Sequence, residues 1–201
     1  MQITETATSP EEKEALRNRR NDSLTKFFRH SAVSGVLAFV GIAVGIASIV
    51  VGVDNGPFHL AGGSLIPGIL ICICANLGYQ IYLAGQTHQR DENVGTKAKC
   101  LFVAHYVLNL LTALISLAFI ALSAVGIAWC SGVEHYYVRI NRITYKKNTT
   151  CPENRTAAIV TGGLSMVDSF LISVWCILGT VFFCCYFRAF GLRRRYRYYS
   201  Y

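Results

Sequence analysis

The sequence is poor in charge. Asp, Glu, Lys and Arg make up 15% of its 201 residues against 53% hydrophobic, a balance too apolar for an ordinary soluble fold. Other absences narrow the function classes. There is no HExxH pair, no serine in an elbow motif, no paired carboxylates and no glycine loop suited to phosphate, so none of the common catalytic constellations is present. Cys72-Ile73-Cys74 is a CxC inside an apolar segment, which makes a weak redox motif. The chain is therefore expected not to be an enzyme and to need no cofactor. Its first thirty residues also lack the apolar run and small-residue cleavage site of a secretory signal. The first apolar span is expected to act as its own insertion signal.

What is present is apolar length. Four segments, at about 31–53, 58–84, 100–129 and 157–187, are each long enough to cross roughly 30 Å of hydrocarbon at about 1.5 Å per residue. They predict an all-α fold, a four-helix transmembrane bundle over 31–187, between an amino tail (1–30) and a basic carboxyl tail (188–201). Glu11 to Arg20 predicts a short surface helix within the amino tail. Asp54-Asn55-Gly56-Pro57 reads as a tight turn joining the first two spans. Gly62, Gly63, Pro67 and Gly68 predict a kink or loosening early in the second. The last two spans exceed the membrane's thickness, so they tilt or project as a stalk.

Orientation follows from the basic residues. Fourteen Lys and Arg fall in the two tails and the 85–99 connection, against five in the loop between the third and fourth spans. Positive residues stay inside, so both termini are expected in the cytoplasm, with a short first and a longer second extracellular or lumenal loop. The net charge of +8 thus serves topology, and no nucleic-acid partner is implied. The second loop carries glycosylation sequons at Asn148 and Asn154, and the only two loop cysteines, Cys130 and Cys151, whose expected state is a disulfide, free thiols being the alternative. Closing that loop would stabilise by roughly 3 kcal/mol.

Within the spans, pattern identifies candidate contacts. Ser34, Ala38, Gly41, Gly45, Ser48 and Gly52 recur at steps of four and three along one face of the first helix, which lets another helix approach closely. In the third, His105, Asn109, Thr112, Ser116, Ser123 and Gly126 share one heptad track with Phe119 in the gap. A polar cavity and interhelical hydrogen bonding both fit that track. Four helices of one chain enclose too little space for a wide aqueous path, so bonding is expected. Asn76 and Asn109 lie at similar depth and are expected to bond across the second and third helices. Asp168 is the single acid inside a span. An ionised carboxylate there would cost several kcal/mol unless paired, so it is expected neutral, bonded to serines at its height such as Ser48 and Ser116; a proton or cation site is the alternative. Cys100, Cys184 and Cys185, at the inner membrane edge, suit palmitoylation or simple burial. Arg193, Arg194, Arg195 and Arg197 suit anionic headgroups or topological anchoring.

Four spans with cytoplasmic ends, a very short first outer turn, Gly62-Gly63-Ser64 opening the second span, Lys99-Cys100-Leu101 opening the third, and a larger second outer loop with two cysteines resemble the membrane-spanning four-domain family, subfamily A. That is the family of the B-lymphocyte tetraspan antigen and the IgE receptor beta subunit. The Cys-Cys-Gly motif of tetraspanins is absent. The resemblance implies dimers or higher oligomers and accessory roles in receptor signalling, trafficking or calcium entry. The expected function is thus a non-enzymatic plasma-membrane or endomembrane scaffold that associates with itself and with receptors. An oligomeric ion channel or proton-coupled transporter is the alternative.

Overall fold

The computed structural model describes residues 10–52, 63–87, 96–131, 135–140, 143–148 and 155–186, with the side chains of 12, 13, 16, 52, 87, 96, 129–131, 135–148 and 155 left out. Four helices are long and apolar enough to cross a membrane. They are α1 (Pro10–Gly52), α2 (Leu65–Thr87), α3 (Thr96–Ser131) and α4 (Arg155–Cys184). The α3–α4 connection adds an antiparallel hairpin of β1 (His135–Ile140) and β2 (Ile143–Asn148), in register from His135 opposite Asn148 to Ile140 opposite Ile143. The end of the bundle next to this connection is the hairpin end. The end holding Pro10 and Tyr186 is the terminal end.

Successive helices run antiparallel around a ring in which α1 packs on α2 and α4, and α3 on the same two. The cause is a heptad seam on every helix. On α1 the buried positions run Arg20, Leu24, Phe27, Ser31, Ser34, Ala38, Gly41, Gly45, Ser48. The same steps of four and three bury Pro67, Ile71, Cys74, Gly78, Ile81 and Gly85 on α2, and Ala158, Gly162, Ser165, Ser169, Ile172, Cys176, Gly179 and Phe183 on α4. Seams of period 3.5 hold helices together as in left-handed bundles, because the seam then stays on the partner along its whole length.

Two expectations are corrected. First, there is no break between a surface helix and a first span: α1 is one helix of 43 residues, about 64 Å long. Residues Ser23, Leu24, Phe27 and His30, expected in a solvated tail, are buried. The seam simply continues below Ser31. Second, Pro67 makes no kink. Helix α2 begins at Leu65, so Pro67 occupies its first turn, where a missing N–H costs nothing. Ser64 is the cap residue. Its carbonyl accepts from Gly68 N at 2.8 Å. Its hydroxyl donates instead to the Gly41 carbonyl of α1, at 2.9 Å.

The core is layered. At the terminal end Leu24, Phe27, Ile81, Phe102 and Phe183 form an apolar plug, with Phe27 stacked on Phe183 at 4.1 Å between ring centroids. Below it Lys26 donates to Asp22 (2.6 Å) and Tyr186 (2.8 Å), tying α1 to the end of α4. Nearer the hairpin end a second apolar layer gathers Ala38, Ile71, Ala113, Ile172 and Cys176.

Candidate functional site

Two polar layers remain, one between the apolar layers and one on the hairpin side of the second. In the first, the buried imidazoles of His30 and His105 lie 5.7 Å apart, ring centroid to ring centroid. The His30 ring stacks on Trp175 at 5.0 Å, whose indole N–H donates to Ser34 Oγ at 3.1 Å. Asn109 Nδ2 donates to His105 Nδ1 at 2.9 Å and to the His105 carbonyl at 3.0 Å. Two glycines make room: a methyl group on Gly179 would strike His30 Nε2, and one on Gly78 would strike Ser31 Oγ. Sequence reasoning missed His30, Ser31 and Trp175, although His30 and Ser31 lie one turn before Ser34 on the seam.

The second polar layer surrounds Asp168. Here α1 and α2 come closest, because glycine faces glycine. A methyl group on Gly45 would lie 2.5 Å from Leu65, and one on Gly68 2.8 Å from Ile42 N. Small residues at such a crossing let backbones touch. Asp168 reaches from α4 into the crossing, so that a methyl group on Gly41 would sit 2.7 Å from its Oδ2, 3.1 Å from Gly68 Cα and 3.4 Å from the Ser64 carbonyl oxygen. One turn further toward the hairpin end, Ser48 and Ser165 share a hydrogen bond of 3.0 Å. Gly63, at φ +46°, lies against that pair, in a conformation that glycine adopts without strain.

The expected bonds of Asp168 to Ser48 and Ser116 are not made. Ser48 pairs with Ser165, and Ser116 Oγ, like both oxygens of Asp168, meets no hydrogen-bond partner among the described residues. The reason is direction: the carboxyl enters the α1–α2 crossing rather than the seam between α3 and α4. The expected Asn76–Asn109 bond is also absent. Asn76 is exposed, since it sits about 200° around the helix from its seam neighbours Cys74 and Gly78, and the α2–α3 contact is made instead by Cys74 and Thr112 at 3.6 Å.

Elsewhere, Ser34, Ala38, Gly41, Gly45 and Ser48 are buried, as are His105, Asn109, Thr112, Ser116, Ser123 and Gly126. Gly52 is the last residue of α1. Cys100, Cys184 and Cys185 are exposed free thiols; Cys184 donates weakly to Tyr106 at 3.5 Å. Asn148 ends β2 and Cys130 lies in the last turn of α3, while their side chains, Cys151, Asn154 and Arg193, Arg194, Arg195 and Arg197 lie outside the described residues, so the expected disulfide and glycans fall outside them too. Among the described residues no three His, Cys, Asp or Glu side chains gather to hold a metal. Comparison of the chain with family models, with curated proteins and with solved structures finds no match, so the functional reading rests on these layers and faces.

Proposed function

We propose that this multi-pass membrane protein acts without catalysis, by association: it forms oligomers and serves as an accessory or scaffold for receptors in signalling or trafficking. The observation that carries the reading is the outward face of α2. Ile66, Ile69, Ile73, Asn76, Gln80 and Leu83 are all exposed, and they follow steps of three and four, so α2 has a second heptad seam directed away from its own bundle. Neither amide has a side-chain hydrogen bond among the described residues. Asn76 is the twelfth of 23 residues in α2, two residues deeper than the Gly78–Ser31 contact. An amide facing hydrocarbon leaves two donors and an acceptor unsatisfied, and another helix supplies them. An amide is also its own complement, which suits a second copy related by a two-fold axis.

The interior favours this reading over a pore within one chain, because the apolar plug and the second apolar layer cross the bundle at two levels. The resemblance to the membrane-spanning four-domain family points the same way. Cytoplasmic termini, palmitate on Cys100, Cys184 or Cys185, a glycan on Asn148, a Cys130–Cys151 disulfide and anionic lipid at the basic tail belong to the same proposal. Cross-linking in cells followed by purification in mild detergent tests it. Two or more copies are expected, with receptor companions, and Asn76→Leu is expected to weaken self-association about 3- to 30-fold. A chain recovered as a monomer without companions would overturn the reading.

A further inference from the structure

We propose that Asp168, with the hydroxyl of Ser64 and the backbone carbonyls of Gly41 and Ser64, forms a site for one monovalent cation at mid-depth in the membrane, loaded from the hairpin end. The inference is separate from self-association and stands whether or not the α2 seam does.

Burial is the first observation. Asp168 is 3% exposed, yet neither carboxyl oxygen finds a hydrogen-bond donor among the described residues. The Ser64 hydroxyl is close enough to act on the carboxyl, but its proton is directed to the Gly41 carbonyl, at 2.9 Å. A side chain this deeply buried is ordinarily satisfied, and a carboxylate left ionised and unpaired costs far more than an unbonded neutral polar group. Other buried polar atoms also meet no partner among the described residues, His30 Nε2, Asn109 Oδ1, Ser116 Oγ and Ser169 Oγ among them, but Asp168 is the one carboxyl in that set and is unpartnered at both oxygens.

Geometry is the second. The patch of α1 backbone at Gly41 is bordered by Asp168 Oδ2 and by the Ser64 carbonyl oxygen; any side chain at position 41 would fill the space they share. All the donors are oxygen. Such a set suits a proton or a hard alkali ion and does not suit soft metals.

Charge arithmetic fixes the valence. The groups that border Asp168 are Gly41 from α1 and Ser64 and Gly68 from α2, with the Ser48–Ser165 pair one turn away, and none of them is charged or titrates in the physiological range. The buried histidines lie beyond the Ala38, Ile71, Ala113, Ile172 and Cys176 layer. One carboxylate is neutralised by one positive charge, whereas a divalent ion would leave a net charge inside the membrane. The side of entry follows from the layers. Toward the terminal end that apolar layer closes the path, while toward the hairpin end come Ser48, Ser165 and the glycine turn at Gly63.

A proton and an alkali ion share this chemistry, and one experiment separates them. The full-length protein in mild detergent is treated with dicyclohexylcarbodiimide, which modifies protonated carboxyls in apolar surroundings, and the modified residue is located by mass spectrometry. Thermal stability is followed in parallel. Labelling at Asp168 that sodium or lithium chloride suppresses, and choline chloride at equal ionic strength does not, identifies an alkali ion. Labelling that falls as pH rises and ignores all three salts identifies a proton. Asp168→Asn, whose amide keeps the shape and hydrogen-bonding capacity of a neutral acid, is expected to fold and to lose the salt or pH dependence of its melting temperature; Asp168→Leu is expected to lower folding and surface delivery. If the wild type and Asp168→Asn melt with the same dependence on pH and on every salt, and labelling of Asp168 responds to neither, the site does not exist.

Discussion

The closest helix contact allows one substitution to be predicted from two glycines ten residues apart. Gly35 and Gly45 lie on the same helix, but a methyl group on Gly35 meets nothing within 4 Å, while one on Gly45 lies 2.5 Å from the backbone N and Cα of Leu65 and from its Cβ. Carbon atoms rest at about 3.5 to 4.0 Å, so Gly45→Ala must push α1 and α2 apart by about 1 to 1.5 Å. Backbone cannot turn aside as a side-chain end can. The separation also opens the contact that Gly41 and Gly68 make one turn further along. Overpacking of this kind costs about 1 to 3 kcal/mol, or about 5- to 150-fold in the folded population. Gly35→Ala meets no such penalty and gains up to about 1 kcal/mol of helix propensity. The two variants should therefore move in opposite directions. Reversible unfolding in mixed micelles, followed by circular dichroism, measures both. Ile42 packs against Gly68 and so does not serve as a neutral control; Val36, 65% exposed, does. Equal stability of Gly35→Ala and Gly45→Ala would refute close packing of α1 on α2.

Two further outcomes test the terminal half. Phe27→Ala should destabilise by about 3 to 5 kcal/mol, because Phe27 is 1% exposed between Phe102 and Phe183, whereas Phe28→Ala, at a position 45% exposed, should change little; equal effects in a thermal-unfolding assay would detach this part of α1 from the bundle. Trp175→Phe keeps a ring against His30 but removes the donor to Ser34, so a loss of about 0.5 to 1.5 kcal/mol is expected, and Ser34→Ala combined with it should cost less than the two single changes added together in a double-mutant cycle.

Sequence pattern located the four helices and the small-residue face of α1, because a period of 3.5 survives in any apolar helix that packs. It failed where a position's direction mattered more than its height. Asn76 and Asn109 sit at similar depth, yet the inward seam of α2 passes through Cys74 and Gly78, and Asn76 points the other way; tracing that seam from Pro67 to Gly85 would have shown it. The lower part of α1 was hidden by Lys26 and Arg29, charges that occupy other faces of a helix whose seam continues through Leu24 and Phe27. Asp168 was legible as an anomaly, while its neighbours were not, since the Gly41–Gly68 crossing is a product of tertiary packing. The hairpin carried a local signal, with β-branched and aromatic residues on both sides of Asn141-Arg142.

The unbroken length of α1 has a mechanical consequence. A helix about 64 Å long with no proline after its first residue behaves as a stiff rod, gripped at Asp22 and Lys26 by Tyr186 and again, toward its other end, at the glycines beside Asp168. Anything that tugs or twists the exposed stretch around Arg17 and Arg19 is passed as rotation or sliding to Gly41, where there is no room even for a methyl group. A contact made at the terminal end of α1 is thereby geared to the tightly fitted crossing near its other end.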